Sequence, residues 1–274
     1  LLWFPTGGGK TEAYLLITAY TIFHRRLRAG GSPVGAGVAA FMRYTLRLLT
    51  VQQYQRAASM ICACESIRRG VVDTGEITIP QNFQSDAPIS LGLWVGQDST
   101  PNTVEKAIEA FQNASASSPA QVRFCPECNR DLEWKPSPSE NQVWACCNTD
   151  GCSQNHLVDH LPIWTVDEDI YRELPSLLIG TVDKFAQITR NPASARLFGI
   201  GTEAAPPDLV IQDELHLISG PLGTIAGIYE VAIDELCSID GKKPKIIGST
   251  ATIRRAEEQI RALFDRRAFQ FPPP

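Results

Sequence analysis

Two short stretches of this sequence, more than two hundred positions apart, carry residue types that together could handle a nucleoside triphosphate. The first is Pro5-Thr6-Gly7-Gly8-Gly9-Lys10-Thr11. It follows an apolar tetrapeptide and opens a helical pattern, which is the setting a phosphate loop needs. Glycines without Cβ atoms let backbone N–H groups curl around phosphate oxygens, and the helix N-terminus adds partial positive charge. Lys10 would reach the outer phosphates, and the Thr11 hydroxyl would ligate Mg²⁺. Thr6, Gly7, Gly8 and Gly9 complete the expected cradle. The full pattern asks for a further glycine where Phe4 stands. The second stretch is Leu209-Val210-Ile211-Gln212-Asp213-Glu214-Leu215-His216, an apolar strand ending in two carboxylates. Asp213 is placed to hold Mg²⁺ through water, and Glu214 to accept a proton from an attacking water. His216 is read as a catalytic partner of this box, with a hydrogen-bonded structural histidine as the competing reading. Downstream, Ser249, Thr250 and Thr252 follow another strand, where small hydroxyls could bond to the acidic box; an ordinary N-cap would look the same.

A third constellation is thiolate chemistry. Cys125-Pro126-Glu127-Cys128 is a two-thiolate knuckle, and Cys147 and Cys152 would complete a Cys₄ set suited to structural Zn²⁺. Adjacent Cys146 and Cys147 are not separable by spacing, and His156 or His160 could replace a ligand. Cys62, Cys64 and Cys237 lie on apolar helical stretches and read as core thiols.

The elements that would carry these residues alternate strand and helix, which argues for a parallel sheet covered on both faces. Strands are predicted at Leu1–Phe4, Val38–Met42, Ile89–Val95, Ser176–Gly180, Asp208–Gln212 and Lys245–Gly248. Helices are predicted at Thr11–Arg28, Leu46–Arg69 and Pro101–Asn113, and after each of the last three strands. Ser-, Pro- and Asn-rich segments at Ala114–Ala120 and Lys135–Asn141 interrupt the pattern. They set off a small zinc-ribbon-like insertion over residues 121–160, between lobe segments 1–120 and 161–274. Arg25, Arg26 and Arg28 suit the end of the first helix, where they complement its dipole.

Composition permits this plan and narrows the alternatives. The chain has 274 residues, 43% hydrophobic and 20% charged, with net charge −5, so it is neither disordered nor globally basic. No run of about 18 apolar residues spans a membrane. No signal peptide is evident, and the eight cysteines then fit a reducing, cytoplasmic setting better than a disulfide framework. Both ends read as cut from a longer chain.

The phosphate loop, the Asp-Glu-x-His box and the Ser249-Thr250-Ala251-Thr252 turn, in this order, resemble motifs I, II and III of superfamily 2 helicases. The resemblance implies a RecA-like lobe that binds ATP and Mg²⁺ and works on nucleic acid. It places motif Ia at Arg43-Tyr44-Thr45-Leu46-Arg47 through Gln53 and motif Ib at Gly180-Thr181-Val182-Asp183-Lys184. Arg43, Thr45, Arg47, Gln53, Thr181 and Lys184 are thus expected on the nucleic-acid backbone. Nothing after Thr252 resembles motifs IV to VI, so the second RecA-like lobe, with its arginine finger, is expected elsewhere in a parent chain. The runs Val166-Asp167-Glu168-Asp169-Ile170-Tyr171-Arg172, Ile211 to Gly223, and Ser249 to Ala256 are similar to the helicase component of the DISARM anti-phage systems. That similarity implies DNA as the substrate and other defence proteins as partners. An RNA-acting ATPase and a nucleotide-responsive scaffold without motor activity remain the alternatives.

Overall fold

The computed structural model describes residues 9–45, 47–71, 87–113, 117–156, 160–250 and 256–271; the side chains of 47–49, 51, 156, 221, 222 and 256 are also outside the described set. The expected strand at Leu1–Phe4, and Thr6, Gly7, Gly8 and Thr252, therefore lie outside the described residues.

In chain order the elements are α1 (Lys10–Ala29), β1 (Ala40–Tyr44), α2 (Arg47–Arg68), β2 (Leu91–Trp94), α3 (Val104–Asn113), β3 (Glu133–Pro136), β4 (Val143–Cys146), α4 (Ser153–His156), β5 (Ile163–Trp164), α5 (Asp167–Glu173), β6 (Leu177–Thr181), α6 (Val182–Phe185), β7 (Leu209–Gln212), α7 (Gly220–Leu236), β8 (Lys245–Gly248) and α8 (Ala256–Phe264). Six strands form one sheet in the order β5-β2-β6-β1-β7-β8, and every pairing in it is parallel. This is the RecA-like arrangement the motifs imply. β3 and β4 form a separate antiparallel hairpin. The expected strand at Val38–Met42 begins two residues later, and the helix expected from Pro101 begins at Val104.

Side-chain alternation explains why the sheet is covered twice. Ala40, Met42 and Tyr44 of β1, with Leu177, Ile179, Leu209 and Ile211, pack on Tyr14 and Ile22 of α1 and Tyr54, Ala57 and Ile61 of α2. The intervening residues Phe41, Leu178 and Val210 face Ile170, Phe185 and Ile233 on the other side. A strand buried on both faces needs apolar residues in succession, and these strands supply them. At Gly180 a Cβ would meet the Trp94 carbonyl oxygen at 2.7 Å, so only glycine lets β6 pass β2 here.

α1 closes on Gly30, whose φ of 60° is left-handed. Its arginines do more than answer the helix dipole. Arg25 reaches back over the loop that follows, donating to the carbonyls of Ala36 at 2.9 Å and Pro206 at 2.8 Å and pairing with Asp208 at 3.0 Å. Arg26 donates to Ala87 O at 2.6 Å and Pro88 O at 2.9 Å. Both are buried.

The acidic run on α5 fastens three other elements. Asp167 pairs with Lys184 Nζ at 2.6 Å, Glu168 accepts the Val104 N–H at the start of α3 at 2.8 Å, and Asp169 accepts the Val143 N–H of β4 at 3.1 Å. Asp169 is fully buried. Burial pushes its carboxyl up to about 7, against the pull of the Val143 N–H. An acid raised in this way is protonated in the folded chain where the unfolded chain has already ionised. Stability contributed by its neutral form is present below the ordinary carboxylate range, near pH 4, and is lost as pH rises toward 7. The expected slope is at most about 1.4 kcal/mol per pH unit. Asp169→Asn keeps the acceptor for Val143 and removes the proton. Its urea midpoint should lie closest to the parent's near pH 4 and exceed it increasingly as pH rises to 7.5. A variant less stable than the parent at pH 7.5 contradicts this account.

Candidate nucleotide site and cysteine centre

In a parallel sheet all strand C-termini lie along one edge, and ligands bind beyond that edge. β1, β6, β7 and β8 end there. Asp213 follows β7 directly, and its backbone is fixed from both sides. Its N–H donates to Arg43 O at 3.0 Å, and two residues on the Leu215 N–H donates to Ser249 O at 2.8 Å. The side chain is 8% exposed. The Ser249 hydroxyl donates to Asp213 Oδ1, as does the Glu214 N–H at 3.0 Å. The Tyr14 hydroxyl lies 3.2 Å from the same oxygen. Burial first, and then the Asp213 charge, hold the Tyr14 phenol far above its ordinary range, so it remains a donor.

Tyr14 stands one turn after Lys10 and Thr11 on α1, so this bond ties the helix of the phosphate loop to the acidic box. Gly9 precedes that helix with φ at 74°, a left-handed turn suited to glycine and to a backbone closing on phosphates. Lys10 and Thr11 are half-buried at the helix start. Glu214 also adopts a left-handed conformation, with φ at 48°. Its Oε2 lies 3.3 Å from His216 Nδ1. Thr250 is buried beside Ser249.

The cations expected on nucleic acid divide differently. Arg43 is 1% exposed, and Lys184 is 4% exposed. Arg43 makes two bonds to the carboxylate of Glu230 on α7, at 2.7 and 3.1 Å, with its guanidinium 5.5 Å from the Phe185 ring centroid. Lys184 is bound to Asp167. This corrects the expectation from sequence: both side chains turn into the second core layer, where each charge is neutralised by a buried acid. The signal was available, since Arg43 shares the parity of Phe41 on a strand covered on both faces. Thr45 and Thr181 follow and end their strands on the ligand edge. Gln53 is half-buried on α2, and the Arg47 side chain lies outside the described residues. Tyr14 was missed from sequence, because an aromatic residue on an apolar helix stripe reads as core.

The four cysteines converge. The Sγ atoms of Cys125, Cys128, Cys147 and Cys152 all lie within 4.8 Å of one another. Cys125 and Cys152 are 3.8 Å apart, and Cys128 and Cys147 3.6 Å. Disulfide sulfurs would stand at about 2.05 Å. Thiolates around one tetrahedral zinc, with bonds of about 2.3 Å, stand about 3.8 Å apart. The donor set therefore fits a single such ion. Alternation on the hairpin decides between neighbours: Cys147 points to this cluster and the α1–α2 core layer, while Cys146 packs with Trp144 and Trp164 on the other. His160 stacks on Trp144 at 4.8 Å and bonds to Leu161 O at 2.8 Å, and it is not among the four clustered ligands. The His156 side chain lies outside the described residues. Cys62, Cys64 and Cys237 are buried, and burial pushes the Cys62 and Cys64 thiols up to about 12.

The sheet order, with a helix opening at Lys10 and an acidic turn directly after β7, gives the chain a RecA-like fold. The chain is similar to DISARM protein DrmA of Bacillus paralicheniformis (strain ATCC 9945a / NCIMB 11709 / CD-2). The two are 38% identical over all of this chain, which spans 28% of that protein's length. No family model matches the chain. Among solved structures, the DUF1998 helicase MrfA aligns with all of the chain and 27% of its own at a TM-score of 0.52 and 14% identity. Mss116p, in a structure with ssRNA and AMP-PNP, aligns with 96% of the chain and 34% of its own at a TM-score of 0.51 and 11% identity. At those identities the structural likeness speaks for the fold. Among the described residues no helix is long and apolar enough to cross a membrane.

The buried Arg43–Glu230 pair makes a prediction that separates packing from nucleic-acid contact. Arg43→Ala strands the Glu230 charge and should lower stability by about 3–5 kcal/mol. Replacing Arg43 and Glu230 together by Met should recover most of it in denaturant melts. Nucleic-acid binding by the refolded double variant should equal the parent's; a large loss would return Arg43 to the contact surface.

Proposed function

We propose that this chain is the ATP-binding lobe of a nucleic-acid-dependent ATPase, a helicase or translocase that acts on DNA in anti-phage defence. The observation that carries the reading is the bond network joining the phosphate-loop helix, through Tyr14, to Asp213 and then to Ser249. It brings the three motif segments to one edge of the sheet.

In this reading Gly9, the Lys10 ammonium and the helix N-terminus receive the triphosphate, with Thr6, Gly7 and Gly8 completing the loop. Mg²⁺, when bound, offsets phosphate charge, and Thr11 and Asp213 would hold it. Glu214 takes the proton of the attacking water, with His216 beside it. Ser249, Thr250 and Thr252 link the acidic box to the rest of the lobe. Thr45, Arg47, Gln53 and Thr181 contact the nucleic-acid backbone, which fixes position without reading sequence. Cys125, Cys128, Cys147 and Cys152 hold a structural Zn²⁺ that braces residues 121–160 as an inserted module. A second RecA-like lobe supplies the arginine finger, other defence proteins act alongside, and the protein works in the cytoplasm. DNA is favoured by the relationship to a DISARM protein. The fold neighbour seen with ssRNA keeps an RNA-acting ATPase as the second reading. ATP turnover stimulated by RNA and not by DNA would establish that alternative.

Lys10→Ala should abolish Mg·ATP hydrolysis by the full-length parent protein that carries the second lobe. Glu214→Gln should retain ATP binding and lose turnover by a factor of about 10²–10⁴, the usual contribution of a general base. Turnover near the parent rate for Glu214→Gln rejects the proton-acceptor role.

The reduced, folded protein should also carry about one zinc per chain by elemental analysis, with Cys128→Ser lowering that content. Well-folded, zinc-free protein would remove the metal from this account.

A further inference from the structure

Three donors meet on one oxygen of Asp213. The Ser249 hydroxyl, the Tyr14 hydroxyl at 3.2 Å and the Glu214 N–H at 3.0 Å all address Oδ1. Among the described residues no protein donor addresses Oδ2. A carboxylate has two equivalent oxygens and free rotation about its terminal bond, so an unrestrained Asp would present either oxygen in any direction. Loading one oxygen with three donors fixes the carboxylate plane and leaves the other oxygen for a cation or its water shell.

The donors also come from three different elements. Ser249 follows β8, the Glu214 N–H belongs to the left-handed turn after β7, and Tyr14 is on α1. Only Tyr14 reports the position of the phosphate-loop helix, four residues beyond Lys10. Its ring is buried at 0% exposure among Met42, Tyr44 and Ile211, so the hydroxyl has little room to swing away.

We infer that Tyr14 is a positioning residue for the nucleotide-bound metal ion: its hydroxyl locks Asp213 so that Oδ2 faces the ion, and sets the distance between the phosphate loop and the acidic box. This deepens the proposed ATP site and rests on it. Tyr14 touches neither nucleotide nor metal; it acts through Asp213. Tyr14→Phe removes the hydroxyl and keeps the ring, so the core should be preserved.

The test is binding of a fluorescent ATP analogue to the full chain across a Mg²⁺ titration, with thermal melts of each variant alongside. Tyr14→Phe should melt close to the parent and bind the analogue equally well in EDTA. Its half-saturating Mg²⁺ concentration should rise about tenfold, a typical consequence of losing one hydrogen bond to a charged group. Ser249→Ala should shift the Mg²⁺ response in the same direction, and the double variant should depart from the sum of the two, because both donors hold the same oxygen. A parent-like Mg²⁺ titration for Tyr14→Phe overturns the inference while leaving the ATP site intact. If the parent itself binds the analogue no better with Mg²⁺ than without, and Asp213→Ala changes nothing, the ATP site is wrong and the role of Tyr14 falls with it.

Discussion

A parallel sheet sealed by helices on both faces leaves a charged side chain few places to go. It can meet an opposite charge inside the protein, or leave from the edge where the strands end. Nearly every ionisable residue of this lobe with a functional look falls under that rule. Arg43, in the middle layer, is neutralised by Glu230 on α7. Lys184, just past β6, is neutralised by Asp167 on α5. Asp213 lies one residue beyond the last ladder position of β7, and there its charge is met by hydrogen-bond donors while one oxygen stays available. The same burial that stabilises the fold thus sorts the ionisable groups into braces and chemistry.

The braces connect parts of the chain that local sequence keeps apart. α5 is only seven residues long. Its three consecutive acids nevertheless reach the start of α3, the hairpin of the cysteine segment and Lys184 of α6. Val122, Cys125, Ala145, Cys147 and Cys152 share a hydrophobic cluster with the main sheet. The cysteine segment is therefore packed on the lobe, and what holds its own loops together is the thiol cluster plus short turns. Asn129 in a left-handed conformation closes the first knuckle, and Asn129 N–H donates to Cys125 O at 3.0 Å. With a Ser- and Pro-rich hairpin turn and few large apolar residues, such loops lack the core to order themselves, which is why a metal suits them.

Much of this was legible before any coordinates. Gly-Lys-Thr at a helix start, Asp-Glu at a strand end and Cys-x-x-Cys each impose a local geometry that their residue types announce. The strands and long helices were legible from continuous apolar runs and helical periodicity. The hairpin β3–β4 was hidden by the Ser/Pro-rich segment between its strands. β5 has two residues and α5 seven, too short for any periodicity to register. Side-chain direction was the harder loss. Position near a strand end located Arg43 and Lys184, but whether a cation points to solvent or into a core layer depends on what lies across the sheet. For Arg43 the partner is Glu230, 187 positions away, and no local pattern links the two.

The two adjacent carboxylates show how the backbone resolves a conflict the sequence creates. Had β7 continued as an extended strand, Asp213 and Glu214 would project to opposite faces of the sheet, and both faces are covered. One charge would then be driven toward a core layer with no cation to meet it. The left-handed turn at Glu214, φ 48°, breaks the alternation at once. A non-glycine residue in that region costs on the order of 1 kcal/mol. In return, the turn directs the Glu214 carboxylate to 3.3 Å from His216, while the Glu214 N–H bonds to Asp213 Oδ1. The strain and the division of labour are one feature: a single backbone rotation separates the acid that is held from the acid that is left accessible. Asp213 is gripped by buried donors from three elements, while Glu214 stays half-buried beside His216.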